Sequence, residues 1–202
     1  MRGVEQIAWL YDGTMKFAPG LNRWRRELVG KARGRVLEVG CGTGLGLPDY
    51  APDVSLVAIE PERELLERAA RRRPDAGLIV ASAESLPFAD HRFDTVVSSL
   101  VFCSVPDVQK GLAEIKRVLK PDGTLLMLEH VRPQNRLGAF LLDKLQPAWT
   151  RIAGGCHPNR DTEAAVRDAG FHIEPDDYRS KGLLRRFSAR IESKSPAQVD
   201  VT

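Results

Sequence analysis

The sequence predicts an α/β fold: an open, doubly wound, mostly parallel sheet with helices on both faces. Three observations predict it. Short runs rich in β-branched residues alternate with amphipathic stretches at helical spacing. A glycine-rich turn follows the first of these runs, as is typical of a strand that leads into a helix. One later run, at 93–99, is interpreted as a strand that is buried on both faces. Strands and helices that alternate in this way need crossover connections, which build a parallel sheet.

The first half of the chain supplies four strands and the helix between the second and third of them. Pro61 suits the first turn of that helix, because its missing N–H costs nothing there. The apolar face of the helix carries Leu65, Leu66, Ala69 and Ala70. The four strands are predicted over residues 35–39, 54–60, 77–81 and 93–99.

A second helix and a fifth strand follow. Asp107 can cap the helix, because its carboxylate can accept a free amide of the first turn. The apolar residues of this helix recur at helical spacing: Val108, Leu112, Ile115, Val118 and Leu119. The sequence Pro121-Asp122-Gly123 then predicts a turn into the fifth strand, over residues 124–131.

The end of the chain predicts a closing helix and two strands. Asp161 or Thr162 can cap the helix, which ends at Gly170. Strands over residues 171–178 and 183–191 complete a sheet of seven strands.

Charge and hydropathy exclude several classes of protein. A net charge of +3 is too small to indicate a nucleic-acid partner. The cationic clusters at 23–26, 71–73 and 181–186 are scattered, so we expect solvated faces, with contact to an anionic membrane or acidic ligand as the alternative. No apolar run approaches the roughly 18 residues that span a bilayer, and the first residues do not resemble a secretory signal. We therefore expect a cytoplasmic protein.

The cysteines and histidines do not predict a metal site. Cys41, Cys103 and Cys156 are odd in number and show no CxxC spacing, which argues against disulfides and structural zinc. Cys41 suits the glycine loop as a small residue, whereas Cys103 either packs in the core or contacts a ligand. No group of histidines and cysteines has the spacing of a ligand set, so no metal is expected.

The segment EVGCGTG at 38–44 is the strongest functional feature. Its alternating glycines let the backbone turn tightly and approach a ligand closely. Glu60 follows Gly40 by twenty residues, at the end of the second strand, where a carboxylate can accept two ribose hydroxyls. Leu45 stands where the dinucleotide fingerprint requires glycine. Glu38 would repel a pyrophosphate but attract a cationic amino acid, which favours S-adenosylmethionine.

Further segments show a resemblance to a known family. The chain resembles the class I S-adenosylmethionine-dependent methyltransferases, in the branch that includes the ubiquinone and menaquinone C-methyltransferases. This resemblance implies a Rossmann-like fold and S-adenosylmethionine as the cofactor. The segments that carry it are VLEVGCGTG at 36–44, IEP at 59–61, AESLPF at 83–88, FDTVV at 93–97 and LKPDGT at 119–124.

The resemblance also assigns the residues that hold the cofactor. Its methionine end is expected to contact Glu38, the backbone of Gly40, Cys41 and Gly42, and the pair Ser99 and Leu100. Its nucleoside end is expected to contact Glu60 through the ribose, Pro61 through the adenine, and the amide of Ala83 through a ring nitrogen. Ser82 stands where relatives usually carry Asp, so adenine recognition can also depend on Glu84.

Two residues are candidates for catalysis. His130 ends the fifth strand near the expected methyl group and is the candidate general base, since an imidazole titrates near neutral pH. Alternatively, it only forms a hydrogen bond with the backbone. Tyr11 either closes on the cofactor, as aromatic residues do in similar enzymes, or packs within an amphipathic helix.

A narrower resemblance concerns the acceptor. Segments LVFCSV at 100–105, LEHV at 128–131, PAW at 147–149 and GC at 155–156 are similar to the methyltransferase-like-seven thiol methyltransferases. Bacterial phospholipid N-methyltransferases share much of this pattern. The implied acceptor is small and lipophilic or thiol-bearing. The alternatives are a phospholipid or quinone precursor, with peripheral membrane contact, and a cofactor-binding domain without turnover.

These assignments divide one methyltransferase domain over residues 1–202 into four parts. They are an amino-terminal helical cap at 1–34, the cofactor-binding core at 35–131, an acceptor-side lid at 132–160, and the closing helix and strands at 161–202. The cap and the lid are expected to cover the carboxyl ends of the strands, where ligands bind in such folds. Alternatively, both are ordinary helices whose apolar residues pack on the sheet.

Overall fold

The computed structural model describes residues 19–131, 136–152, 156–157 and 159–192. Its helices are α1 (Pro19–Val29), α2 (Arg63–Arg72), α3 (Val108–Val118), α4 (Arg136–Ile152) and α5 (Thr162–Asp168). Its strands are β1 (Arg35–Val39), β2 (Ser55–Glu60), β3 (Gly77–Val80), β4 (Phe93–Ser99), β5 (Leu119–His130), β6 (Phe171–Ile173), β7 (Arg179–Lys181) and β8 (Leu184–Ile191). Short 3₁₀ turns lie at Leu47–Asp49 and Pro175–Asp177.

The strands form one mixed sheet in the order β3-β2-β1-β4-β5-β8-β6. The pairs from β3 to β5 are parallel, and β8 runs antiparallel between β5 and β6. From β1 the chain adds β2 and β3 on one side of the sheet, and it then crosses to add β4 and β5 on the other side. This reversal of the strand order is typical of doubly wound folds. The predicted fold class is confirmed. The seven predicted strands form this path, and the three-residue strand β7 pairs with β8 as an eighth.

Helices cover both faces of the sheet. On one face, side chains of α3 and α5 pack on alternate residues of the central strands, including Leu37, Val96 and Leu125. On the other face, α1 and α2 pack on the residues in between, including Val36 and Val97. The predicted burial of β4 on both faces is confirmed, because five of its seven residues are buried, including the polar Thr95 and Ser98.

The predicted caps of two helices are present. Asp107 accepts the Lys110 amide at 3.0 Å in α3, and Asp161 accepts the Ala164 amide at 3.0 Å in α5. The start of α2 differs from the prediction, because Glu62 occupies the N-cap position. Pro61 therefore precedes the helix instead of lying in its first turn.

Two strand boundaries also differ from those predicted from the sequence. The turn predicted at 121–123 lies within β5, where the register shifts between the pairs Phe93–Leu119 and Thr95–Thr124. These residues therefore form a bulge, which allows Pro and Gly inside a strand. The strand predicted over 171–178 ends at Ile173, and a 3₁₀ turn begins at Pro175.

The cationic clusters are not simply solvated faces. Arg25, Arg185 and Arg186 are 5–6% exposed. Arg186 pairs with Glu27 across 2.6 Å, and Arg185 lies 3.3 Å from Glu163. The expectation was wrong for these three residues, because each lies on the inward side of its element and has acidic or polar groups within reach. Among the described residues, no helix is long and apolar enough to cross a membrane.

Candidate active site

A cavity of about 700 Å³ lies at the carboxyl ends of the parallel strands β1, β2, β4 and β5. In doubly wound folds the loops at this edge diverge next to the strand where the order reverses, and they leave a crevice there. The glycine loop after β1 and the loop after β4 form much of its wall. The cavity is therefore where the predicted ligand site was expected.

The cavity brings the predicted cofactor residues together. All eleven line it, and so does His130: Glu38, Gly40, Cys41, Gly42, Glu60, Pro61, Ser82, Ala83, Glu84, Ser99 and Leu100. Tyr11 lies outside the described residues. The described lining residues do not come from the segment at 132–160, so its predicted role as a lid stays a prediction.

Gly40, Gly42 and Gly44 of the glycine loop have positive φ, and the first two line the cavity. Gly40 has a φ of +68°, and a Cβ there would stand 2.7 Å from a methyl carbon of Val101. Gly42 has a φ of +54°, and a Cβ there would contact no neighbour within 4 Å among the described residues. The first glycine allows two loops to touch, and the second keeps a side chain out of the open cavity. Together the two glycines leave space for a ligand next to the loop.

Glu38 places a carboxylate in the wall below this loop. It is 4% exposed, and its Oε2 accepts no hydrogen bond from the described residues. Burial raises the pKa of Glu38 to about 7, although the Tyr50 hydroxyl and the charge of Arg25 lower it. A buried carboxylate with an unused oxygen suits a cationic ligand, because a nearby positive charge restores its ionised form. The methionine end of S-adenosylmethionine fits this requirement.

Glu60 ends β2 with its carboxylate held by the backbone. Its Oε2 accepts the Gly42 amide at 3.0 Å, and its Oε1 accepts the Glu62 amide at 3.2 Å. Burial raises the pKa of Glu60, and these two hydrogen bonds lower it. Each oxygen retains a further lone pair, so a pair of ribose hydroxyls can still bind.

The segment after β3 is held in the cavity wall by side-chain hydrogen bonds. Ser82 and Glu84 are joined by their side chains at 3.2 Å, and Glu84 also accepts the Asp107 amide at 2.8 Å. Glu84 thus connects the cavity wall to the start of α3. Ala83 lies between them and lines the cavity, 7% exposed. The predicted contacts of Ser82, Ala83 and Glu84 with adenine stay predictions.

Two cysteines and a histidine lie close together beside the cavity, and two of them, Cys103 and His130, line it. The ligating atoms of Cys103, His130 and Cys156 all lie within 4.8 Å of one another. The spacing along the chain does not indicate this group, because Cys103 follows β4, His130 ends β5 and Cys156 follows α4. The spacing argument against a metal therefore does not apply to the folded protein.

Two buried charged residues were not predicted to belong to the site. Arg25 projects from α1 into the cavity wall, with its Nε 3.4 Å from the Ser99 hydroxyl. Glu129 is fully buried, and its Oε1 accepts the Ser98 hydroxyl and the amides of Val101 and Phe102 at 3.0–3.2 Å. Glu129 thereby holds the loop after β4. A glutamate inside the apolar run of β5 was the signal that could have revealed it.

Comparison with known proteins supports the resemblance to S-adenosylmethionine-dependent methyltransferases. Residues 37–127 match the family described as "Methyltransferase domain". The chain is 38% identical over 144 residues to the thiol S-methyltransferase TMT1B of Rattus norvegicus, a match that covers 67% of this chain and 59% of that protein. It is 37% identical over 188 residues to the phosphatidylethanolamine N-methyltransferase of Cereibacter sphaeroides, covering 88% of this chain and 90% of that protein.

A solved structure supports the fold. A S-adenosylmethionine-dependent methyltransferase of Thermotoga maritima superposes with a TM-score of 0.69 at 19% identity, over 93% of this chain and 98% of that one. The family match, the relatives and the fold agree with the resemblance that the motifs indicated. The chain belongs to the class I S-adenosylmethionine-dependent methyltransferases.

Proposed function

We propose that the protein transfers the methyl group of S-adenosylmethionine to a small lipophilic acceptor that carries a thiol. One observation supports this most directly. Besides the glycine loop, the loop after β4 and the end of β5 line the cavity, with Val101, Cys103, Ser104, Val105, Pro106 and His130. These walls are mainly apolar and contain one imidazole. They suit an apolar molecule with a single reactive group that arrives protonated near neutral pH.

The residues of the chain would mainly hold two molecules in line. Glu38 and the loop at Gly40–Gly42 would hold the cationic end of the cofactor, and Glu60 the ribose. The bound cofactor supplies a methyl group already activated by its positive sulfur, so alignment and exclusion of water can provide most of the acceleration. His130 would take the proton of the acceptor thiol, since a thiolate is the better nucleophile.

A panel of acceptors matched in chain length tests this proposal. We expect 1-hexanethiol to release S-adenosylhomocysteine and give the methyl thioether, measured by mass spectrometry, and ethanethiol to react more slowly. Hexylamine and 1-hexanol are the matched controls. Turnover with the amine but not with the thiol would contradict the proposal. Cofactor binding without turnover on any acceptor would favour a binding domain.

A phospholipid amine is the second candidate, and α4 favours it. Leu137, Phe140 and Leu145 of this helix are 56–69% exposed, and Lys144 lies 5.6 Å from the Phe140 ring. Exposed apolar side chains beside a lysine suit a helix that rests on an anionic membrane. The relative from Cereibacter sphaeroides is named for phosphatidylethanolamine.

Vesicles test the second candidate. We expect binding to phosphatidylglycerol vesicles, measured by sedimentation, to fall in Leu137→Glu and Phe140→Glu. Glu67→Gln changes an exposed residue of α2 and is the control. Methylation of phosphatidylethanolamine in the same vesicles, without methylation of thiols, would make the phospholipid the acceptor.

A further inference from the structure

Three side chains from separate parts of the chain converge at the wall of the cavity, and two of them line it. Cys103 lies in the loop after β4, His130 ends β5, and Cys156 follows α4. Their ligating atoms all lie within 4.8 Å of one another. In a tetrahedral zinc site, bonds of about 2.3 Å to sulfur and about 2.0 Å to nitrogen place the ligands about 3.5–3.8 Å apart. A contraction of about 1 Å would close this group around an ion.

The backbone that carries two of these ligands is already fastened together. The His157 amide donates to the Cys103 carbonyl at 2.7 Å, and the Arg160 guanidinium donates to the Phe102 carbonyl of the same loop at 2.7 Å. The Thr150 hydroxyl donates to the Cys156 carbonyl at 3.1 Å. These hydrogen bonds hold Cys156 against the loop of Cys103. Little ordering is then needed when an ion binds.

The charge next to the group also favours a cation. Glu129 precedes His130 and is fully buried, and its Oε2 accepts no hydrogen bond from the described residues. Its other oxygen fastens the loop that leads to Cys103. A buried carboxylate that holds the loop of Cys103 and precedes His130 is costly to ionise unless positive charge is near. A divalent ion would supply that charge.

We propose that Cys103, His130 and Cys156 bind Zn²⁺ and that the acceptor thiol occupies its fourth position. Three protein ligands with one open position are the usual arrangement of catalytic zinc, and two cysteines with one histidine are among its known sets. Cys103 and His130 line the cavity, whereas Cys156 is 1% exposed and lies behind them. The open position therefore faces the cavity. The thiol part of this proposal rests on the function proposed above.

The chemistry balances without an oxidant or reductant. Each cysteine and the acceptor thiol release one proton to solvent when they bind the ion, because only thiolates are ligands. A lone pair of the acceptor sulfur then forms the new bond to the methyl carbon. The electron pair of the broken bond stays on the sulfur of the cofactor, which becomes S-adenosylhomocysteine. The neutral thioether binds the ion weakly and leaves. In the zinc-bound protein His130 is a ligand and not the general base proposed above. The ion instead favours loss of the proton from the acceptor thiol.

Cobalt titration of the reduced full-length chain tests the metal site without an activity assay. We expect one equivalent of Co²⁺ to give the visible bands of a tetrahedral site and a thiolate charge-transfer band, and Zn²⁺ to displace it. Cys103→Ser and Cys156→Ser should weaken Zn²⁺ binding more than about 100-fold, beyond the loss typical of an outer partner. Cys41→Ser and His172→Ala are the matched controls and should keep the metal. Equal binding in all variants, or none in the parent, would overturn the site.

The same cobalt form tests the fourth position. Addition of 1-hexanethiol should intensify the charge-transfer band, whereas 1-hexanol should not. An unchanged spectrum would overturn the thiol part of the proposal. If the parent binds Zn²⁺ and 1-hexanethiol but does not methylate it, the proposed function fails and the metal site stands. Oxidation in air gives a further test. A disulfide between Cys103 and Cys156 that prevents Zn²⁺ binding until it is reduced would support the short distance between the two sulfur atoms, on which the site depends.

Discussion

The carboxylate of Glu60 accepts the backbone amide of Gly42 at 3.0 Å, and this bond joins the end of β2 to the glycine loop of β1. The residue predicted to hold the ribose thus also holds the loop predicted to hold the methionine end. Its second oxygen accepts the Glu62 amide at the start of α2. Binding of the two ends of the cofactor is therefore expected to depend on one side chain.

We expect Glu60→Ala to weaken S-adenosylmethionine binding by about 1–3 kcal/mol, because a charged hydrogen-bond partner is lost. Isothermal titration calorimetry measures the change. Glu62→Gln is the control, because that side chain is exposed and makes no capping hydrogen bond. Unchanged affinity in Glu60→Ala would mean that the ribose binds elsewhere.

The affinity for the cofactor should rise with pH. Burial raises the pKa of Glu38 to about 7, so the carboxylate is mostly protonated at pH 5.5 in the free protein and mostly ionised at pH 7.5. A cationic ligand binds the ionised form, and linkage then predicts an affinity about 20-fold higher at pH 7.5. Titrations at both pH values measure this ratio. Glu38→Gln should bind weakly at both, and a parent protein without pH dependence would contradict the assignment.

The same residue should destabilise the free protein at high pH. The pKa of Glu38 is 4.5 in the unfolded chain and about 7 in the folded one, so the folded state holds the proton more tightly. The contribution of Glu38 to the free energy of unfolding is fully present below pH 4.5, where the residue is protonated in both states. This contribution is lost as the pH rises through 7, because the buried carboxylate ionises. The gain in unfolding free energy from Glu38→Gln should therefore grow by about 2–3 kcal/mol between pH 5 and 8. Urea unfolding without cofactor tests this, with Glu67→Gln as the control.

Glu129 should matter for stability through the loop after β4. In Glu129→Ala, the Ser98 hydroxyl and the amides of Val101 and Phe102 lose their acceptor. We expect a loss of about 2–4 kcal/mol in the free energy of unfolding, since buried donors would remain unpaired. Urea unfolding measures it. Glu129→Gln keeps an acceptor oxygen in place, so its free energy of unfolding should fall less. An equal fall in Glu129→Gln and Glu129→Ala would show that the charge of Glu129 matters more than its hydrogen bonds.

The sequence predicted the fold well because its signals are local. The alternation of apolar runs locates β1 to β5, and the side chains of Asp107 and Asp161 mark the starts of α3 and α5. The boundaries that differed depend on the folded sheet. The bulge at 121–123 exists because β5 pairs with β4 there, and a turn motif alone does not reveal the partner strand.

The site was predictable where it depends on one loop and a strand end. The loop at 38–44 and Glu60 reach the cavity because parallel strands end at one edge. Arg25 and Cys156 reach it through tertiary packing, which no spacing along the chain records. The scattered cationic clusters predict a solvated face for Arg25, whereas the turn of α1 directs it toward Glu38 and Ser99.

His130 should affect turnover without affecting cofactor binding. It lines the cavity from the end of β5, and β4 lies between that strand and the strands of Glu38 and Glu60. Either of its proposed roles requires an imidazole nitrogen there. We expect His130→Ala to lower kcat with 1-hexanethiol by about 10²–10⁴-fold, the usual effect of losing a proton acceptor, while the Kd of S-adenosylmethionine changes less than about twofold. His172→Ala, an exposed residue of β6, is the matched control. Equal turnover in His130→Ala and the parent would assign His130 to backbone hydrogen bonding alone, the alternative that its place at a strand end also allows.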